Sequence, residues 1–189
     1  MTKRYGQAFN SLDDIDKKYQ IIYADPPWSF QGGGGRKPPY PVMKTEEIKK
    51  LPIKELADDN CALFLWASDP QLHHALEVID AWGFKFKTVA FTWVKKNNGI
   101  FPTGLGYWTR GNPEMCLLAI MGKCQRVSKN TRQLVISPRG GHSRKPDEIR
   151  DKIVMLMGDL PRIELFARQR FDGWDAFGNE TGNTVQKIL

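Results

Sequence analysis

Six short apolar runs punctuate the chain: Gln20–Ala24, Ala62–Ala67, Thr88–Val94, Met115–Met121, Leu134–Ser137 and Ile163–Ala167. They are too short for buried helices and mostly lack polar alternation, which is the pattern of strands covered on both faces. Between some of them, apolar positions recur at helical spacing. Ser68-Asp69-Pro70 places a capping residue ahead of an early proline, Leu72, Ala75, Leu76 and Ile79 follow as one stripe, and Gly83 sits where a helix commonly ends. A second helix opens at Pro146, with Asp147 and Glu148 in the first turn, where acids complement the positive end of the dipole. Ile149, Ile153, Leu156 and Met157 form its apolar face, and Gly158 closes it. Thr45–Leu51 reads as a shorter helix. Strands alternating with helices predict an α/β fold, a mostly parallel sheet with helices on both faces. No repeat or linker interrupts residues 1–189, so one domain is expected, its core over about 19–180 and a flexible tail over 181–189.

Sheets of this kind place ligands beyond the carboxyl ends of their strands. Four runs end in distinctive chemistry: Asp25-Pro26-Pro27-Trp28, Trp66-Ala67-Ser68-Asp69, Trp93-Val94-Lys95-Lys96, and the residues from Arg168 onward. The first is the most informative. Ionised Asp25 only accepts hydrogen bonds, the prolines remove two N–H donors and fix φ, and Trp28 adds a flat π-face. A rigid, acceptor-rich corner beside a stacking surface complements a planar group bearing an NH₂, such as the exocyclic amine of a nucleobase. Carboxylate and carbonyl acceptors could orient both N–H bonds and stabilise the positive charge that develops on nitrogen as a methyl group arrives. Read structurally instead, the tetrapeptide is a Pro-Pro turn with a buried tryptophan.

Composition narrows the class. The 189 residues are 41% hydrophobic, enough for a core, yet no stretch approaches the roughly 20 apolar residues of a membrane span. The N-terminal residues contain no apolar h-region, so no secretory signal is expected and a cytoplasmic location is. Cys61 and Cys116 begin apolar runs and read as small buried hydrophobes. Cys124 follows Cys116 at no zinc-ligand spacing, and adjacent His73 and His74 point apart, so no metal is expected. Lys+Arg 28 against Asp+Glu 21 leaves a net charge of +7. Eight of the basic residues (Lys123, Arg126, Lys129, Arg132, Arg139, Arg144, Lys145, Arg150) fall in one run with only Asp147 and Glu148 opposing them. Such a run is either a solvated face or, beside Lys145, a phosphate track leading to the site.

The blocks Tyr23-Ala24-Asp25-Pro26-Pro27-Trp28, Phe64-Leu65-Trp66, Trp93-Val94-Lys95, His142–Ile149, Ile163–Arg168, Trp174 and Phe177-Gly178-Asn179 occur in order. In this the chain resembles the N6-methyladenosine writers, the Asp-Pro-Pro-Trp adenine methyltransferases, and their bacterial and phage-type free-standing members. The resemblance implies a Rossmann-like class I methyltransferase fold with permuted motif order, which accounts for the missing G-x-G-x-x-G loop. It implies S-adenosylmethionine as cofactor, with Asp25, Lys145, Phe166, Arg168, Asn179 and Glu180 as cofactor-binding residues. Asp25, Pro26, Pro27 and Trp28 match the catalytic corner. Tyr40 and Trp66 match aromatic pocket walls, Glu114 an acid facing the target base, and Ser143, Arg144 and Lys145 the target side. Gly32–Gly35 with Arg36-Lys37 is, by analogy, a gate over the base; as composition it is equally a surface loop. Arg144 stands where many members have histidine and Glu180 where they have glutamine, and Arg168–Phe171 lacks their usual proline.

The implied activity is methylation of the 6-amino group of adenine in a nucleic acid, the base flipped out or already single-stranded. The compact chain favours DNA over RNA, and a monomer or homodimer. Two alternatives keep part of the logic: transfer to the cytosine 4-amino group or a glutamine amide, and a noncatalytic nucleic-acid-binding scaffold.

Overall fold

A computed structural model describes residues 6–29, 41–104, 106, 108–141, 144–179 and 181. Among the described residues, eight strands are arranged in one sheet: β1 (Ala8–Phe9), β2 (Tyr19–Ala24), β3 (Ala57–Ala67), β4 (Lys85–Lys95), β5 (Glu114–Met121), β6 (Leu134–Ser137), β7 (Arg162–Leu165) and β8 (Asp175–Phe177). Their spatial order is β1-β8-β7-β2-β3-β5-β4-β6. Among these described strands, β5 alone runs against its neighbours, and the other pairings are parallel. All six apolar runs became strands, and the mostly parallel α/β sheet expected from them is the observed one.

Alternate residues of the central strands enter two separate cores. Ile22, Ala24, Leu63, Leu65, Ile163 and Leu165 face one way, toward α1 (Thr45–Lys49), α2 (Ile53–Leu56) and α3 (Leu72–Ala81). Ile21, Tyr23, Ala62, Phe64, Trp66 and Cys116 face the other, toward Ile149, Ile153 and Met157 of α4 (Glu148–Met157). Helices therefore cover both faces. Cys61 and Cys116 are fully buried. α3 begins through a 3-10 turn over Asp69–Gln71, with Ser68 making no side-chain cap bond; Ala75, Val78 and Ile79 form its buried stripe. α4 ends at Gly158, whose φ of 93° a side chain would strain. Among the described residues no helix is long and apolar enough to cross a membrane.

Register sets what meets at the carboxyl edge. Ala24 pairs with Leu65 on one side and Leu165 on the other, and Leu165 pairs with Phe177. Asp25, Phe166 and Gly178 therefore leave the sheet at one level, beside Trp66, which is still paired with Cys116. Because β5 is reversed, its first residue, Glu114, sits opposite Trp93 at that same edge.

Candidate active site

The Asp-Pro-Pro-Trp corner is pinned by backbone bonds on both sides. The Trp28 N–H donates to the Pro26 carbonyl at 2.8 Å, and the Met43 N–H donates to the Pro27 carbonyl at 2.8 Å. With two φ angles already fixed by proline, Asp25 has little freedom to leave the edge of β2.

Lys145, just ahead of α4, reaches that carboxylate. Its Nζ lies 2.9 and 2.8 Å from the two Asp25 oxygens, 3.2 Å from Glu114 Oε2 and 5.3 Å from the centre of the Trp66 ring. Glu114 Oε1 in turn meets Lys95 Nζ at 2.7 Å. The order Asp25, Lys145, Glu114, Lys95 alternates in charge along the sheet edge. The Lys145 side chain is 8% exposed while that of Asp25 is 31% exposed, so the ammonium is enclosed and the carboxylate is partly buried, with some of its surface accessible. Burial raises the Asp25 carboxyl above its ordinary range, against the pull of Lys145 and with help from Glu114. Burial also acts to raise Glu114, but Lys145 and Lys95 together hold it below its usual value. Lys145 is opposed by burial yet held above its ordinary value by the two carboxylates. The ammonium stays charged at neutral pH, and the two carboxyls are pushed apart.

Asp25 borders a cavity of about 460 Å³ lined also by Pro26, Pro27, Arg144, Lys145, Phe166, Arg168 and Asn179. Phe166 holds a φ of 60°, a left-handed conformation rare for a bulky residue, as the chain turns out of β7. Beside it Gly178 lies so close to Ala167 that a Cβ would overlap the Ala167 backbone; only glycine brings Asn179 in at this distance. The chain matches the MT-A70 family over residues 19–180.

The protein belongs to the MT-A70 family.

It is 36% identical over 199 residues to the type II methyltransferase M.MunI of a Mycoplasma species, an alignment covering 90% of this chain and 83% of that one. It is 30% identical over 169 residues to the human N(6)-adenosine-methyltransferase catalytic subunit METTL3, covering 86% of this chain and 28% of that one. The Arabidopsis thaliana MT-A70-like N(6)-adenosine-methyltransferase gives 30% over 172 residues and 24% of its length. The chain thus spans about a quarter of those eukaryotic relatives. The family carried by the ordered blocks is confirmed, and the chain is a methyltransferase of the MT-A70 type.

Within this MT-A70 fold, Asp25, Pro26, Pro27, Arg144, Lys145, Phe166, Arg168 and Asn179 line one cavity, and Glu114 joins them through Lys145. Tyr40, Ser143 and Glu180 lie outside the described residues, as do the Gly32–Gly35 and Arg36-Lys37 segment and residues 182–189. Two aromatic expectations need correction. Trp66 is 1% exposed and lies beneath Lys145, its indole N–H donating to the Tyr23 hydroxyl at 2.7 Å, because β3 is a central strand covered on both faces. It is not a pocket wall. Trp28 is 8% exposed, its indole N–H donating to the Trp66 carbonyl at 3.0 Å, so it braces the corner rather than offering a free stacking face.

The basic run from Lys123 to Arg150 also needs correction: it is not one track. The Lys123 N–H donates to Asn60 Oδ1 and the Val127 N–H to the Leu156 carbonyl, which puts this stretch at the amino edge of the sheet. Farther along, Arg150 is consumed in a two-bonded pair with Glu164 at 2.7 and 2.6 Å, and its guanidinium lies 3.5 Å from the centre of the Phe171 ring.

Four residues have site positions that the sequence did not assign to them: Tyr23, Arg150 and Glu164, which line the cavity, and Lys95, which pairs Glu114. Glu164 did leave a signal, a charge in the middle of an otherwise apolar strand.

Proposed function

We propose that the protein transfers the methyl group of S-adenosylmethionine to the 6-amino group of adenine in a nucleic acid, DNA in preference to RNA. One observation carries the reading: a carboxylate fixed by two prolines, gripped from behind by an enclosed ammonium, opens on the cavity built by the neighbouring strand ends. Support for DNA comes from the similarity to the type II methyltransferase M.MunI. The same similarity supports a cytoplasmic location in a bacterial or phage-infected cell.

The cavity suits that cofactor. Its volume of about 460 Å³ is in the range of small-molecule sites. Phe166 and Ala167 offer an apolar face for the adenosine and Asn179 a polar group for the ribose. Asp25, Lys145 and Arg168 supply both signs of charge for the zwitterionic methionine end. When bound, S-adenosylmethionine supplies an electrophilic methyl group.

The chain's own residues prepare the acceptor. The amine of adenine is a poor nucleophile because its lone pair is delocalised into the ring. Asp25 and the Pro26 carbonyl accept its two N–H bonds; that carbonyl already takes the Trp28 N–H and keeps one lone pair free. These fixed acceptors favour a pyramidal nitrogen and stabilise its developing positive charge. Lys145 keeps Asp25 in place and opposes the protonation that burial promotes. The new carbon–nitrogen bond replaces the methyl–sulfur bond, whose electron pair stays on sulfur, and the amine proton is then lost to water, so Asp25 need not be a strong base.

The test is nucleoside mass analysis after incubating the protein and S-adenosylmethionine with single- and double-stranded DNA and RNA. The expected product is 6-methyladenine, highest in DNA. Asp25→Ala is expected to abolish it while weakening cofactor binding, read by calorimetry, much less. Product limited to 4-methylcytosine, or wild-type turnover by Asp25→Ala at saturating cofactor, overturns the reading.

A further inference from the structure

The connection between β4 and β5, residues 96–113, hangs from the edge that carries the active site: it begins after Lys95 and ends before Glu114, the pair that meets at 2.7 Å. It is a built loop. The Asn112 side chain accepts from the Lys95 N–H at 2.9 Å and donates to the Lys95 carbonyl at 3.0 Å, Asn97 and Ile100 exchange both backbone bonds at 2.9 Å, and the Gly104 N–H donates to the Gly111 carbonyl at 2.7 Å. At its tip Gly106 has a φ of 63°, and a Cβ there would overlap the Thr109 carbonyl.

That turn presents Trp108 to solvent. Trp108 is 95% exposed, whereas the other five tryptophans (Trp28, Trp66, Trp82, Trp93, Trp174) are 1–8% exposed. The loop that carries it is basic. Residues 96–113 contain no Asp or Glu, Lys96 and Arg110 are exposed, and the Arg139 N–H ties the following basic segment to Asn97 Oδ1 at 2.9 Å. Lys96 Nζ also lies 5.2 Å from the centre of the exposed Phe101 ring. Exposed aromatic faces interleaved with cations are what a single strand needs, since every base has a π-face and every linkage a negative charge.

We propose that Trp108, with Lys96 and Arg110, is a single-stranded nucleic-acid platform on which a base outside the cavity stacks while its phosphates meet the two cations. The proposal rests on the reading that the acceptor adenine belongs to a nucleic acid. It adds a binding site for the strand beside that adenine.

Binding of a short oligothymidylate, with an oligouridylate arm, tests it without cofactor or turnover. Neither probe carries a 6-amino group, so neither competes for the Asp25 corner. As the one strongly exposed tryptophan, Trp108 dominates the red edge of the intrinsic emission. The expected result is quenching of that emission by the oligonucleotide. Trp108→Ala loses the quench and binds roughly 5- to 150-fold more weakly, while Trp108→Phe keeps most of the affinity. Lys96→Gln with Arg110→Gln lowers the salt dependence of log K by about 1.4, two charges at roughly 0.7 each. Unchanged affinity of Trp108→Ala overturns the proposal even where adenine methylation is intact. Self-association that Trp108→Ala abolishes, with oligonucleotide affinity unchanged, overturns it in favour of a second copy of the chain. Quenching and its loss in Trp108→Ala, in a protein that makes no 6-methyladenine, supports the platform while rejecting the adenine reading.

Discussion

Asp25 sits between two opposing influences. Burial and Glu114 favour its neutral form, and Lys145, within 2.8–2.9 Å of both its oxygens, favours the charged one. The balance leaves the carboxyl above its ordinary value of 3.8. If ionised Asp25 is the form that orients the amine, activity rises with pH through that raised value. Removing each neighbour then moves the acid limb in opposite directions. Lys145→Gln deletes the charge that favours the carboxylate, so the limb of kcat/KM is expected at higher pH than in the wild type. Glu114→Gln deletes a repelling charge, so the limb moves to lower pH. Rate profiles of the two variants check the pair; a shift of the same sign in both contradicts the assignment. The same signs govern stability. A carboxyl whose folded pKa is raised binds more protons folded than unfolded, so its contribution falls as pH rises from 3.8 through the folded value. Glu114, held below its ordinary 4.5, behaves oppositely: its stabilising contribution is full above 4.5 and is lost as pH falls through the folded value.

Elements explain why one pair was invisible in the sequence. Arg150 lies on α4 and Glu164 on β7, and only the packing of that helix across the sheet joins them, with oxygens at 2.7 and 2.6 Å. Truncating one member leaves a buried charge alone, so Arg150→Met is expected to destabilise the protein by about 3–5 kcal/mol. Arg150→Met combined with Glu164→Leu removes the orphaned charge and is expected to recover most of that loss in urea denaturation; no recovery would mean the pair is not what holds α4 down. The apolar runs were legible because strands covered on both faces need contiguous apolar residues, and the two longer helices because each buries one stripe. The Asp25 corner was legible because proline and strand-end position are local facts. The two-residue β1 and three-residue β8 were not, being too short for any period. Strand direction was not either. Nothing in Met115–Met121 announces that β5 is reversed, yet that reversal carries Glu114 to the active-site edge and Lys123 to the opposite one. Trp66 shows the same limit: a tryptophan at a strand end reads as a wall, and only the layers above and below make it core.

At the scale of the whole molecule, two groups of basic residues sit at opposite edges of the sheet. Cys61 pairs with Met121 and Ala67 with Met115, so the two edges of β3 are separated by roughly 20 Å of strand. Lys123, Arg126 and Lys129 belong to the amino edge, whereas Lys96, Arg110 and Arg139 belong to the edge that holds Asp25 and Lys145. Roughly 20 Å exceeds the screening length of about 8 Å at physiological salt, so the distant group adds little to the field at the cavity. Neutralising Lys123, Arg126 and Lys129 to Gln is therefore expected to leave single-strand affinity within about twofold at roughly 0.15 M salt. Neutralising Lys96, Arg110 and Arg139 is expected to reduce the slope of log K against log salt by about 2, at roughly 0.7 for each phosphate no longer neutralised. Both triples remove the same formal charge from the chain, so a response to net charge alone would make them equal. Unequal slopes, with the active-site edge dominant, would show that the position of the charge governs how the strand is held.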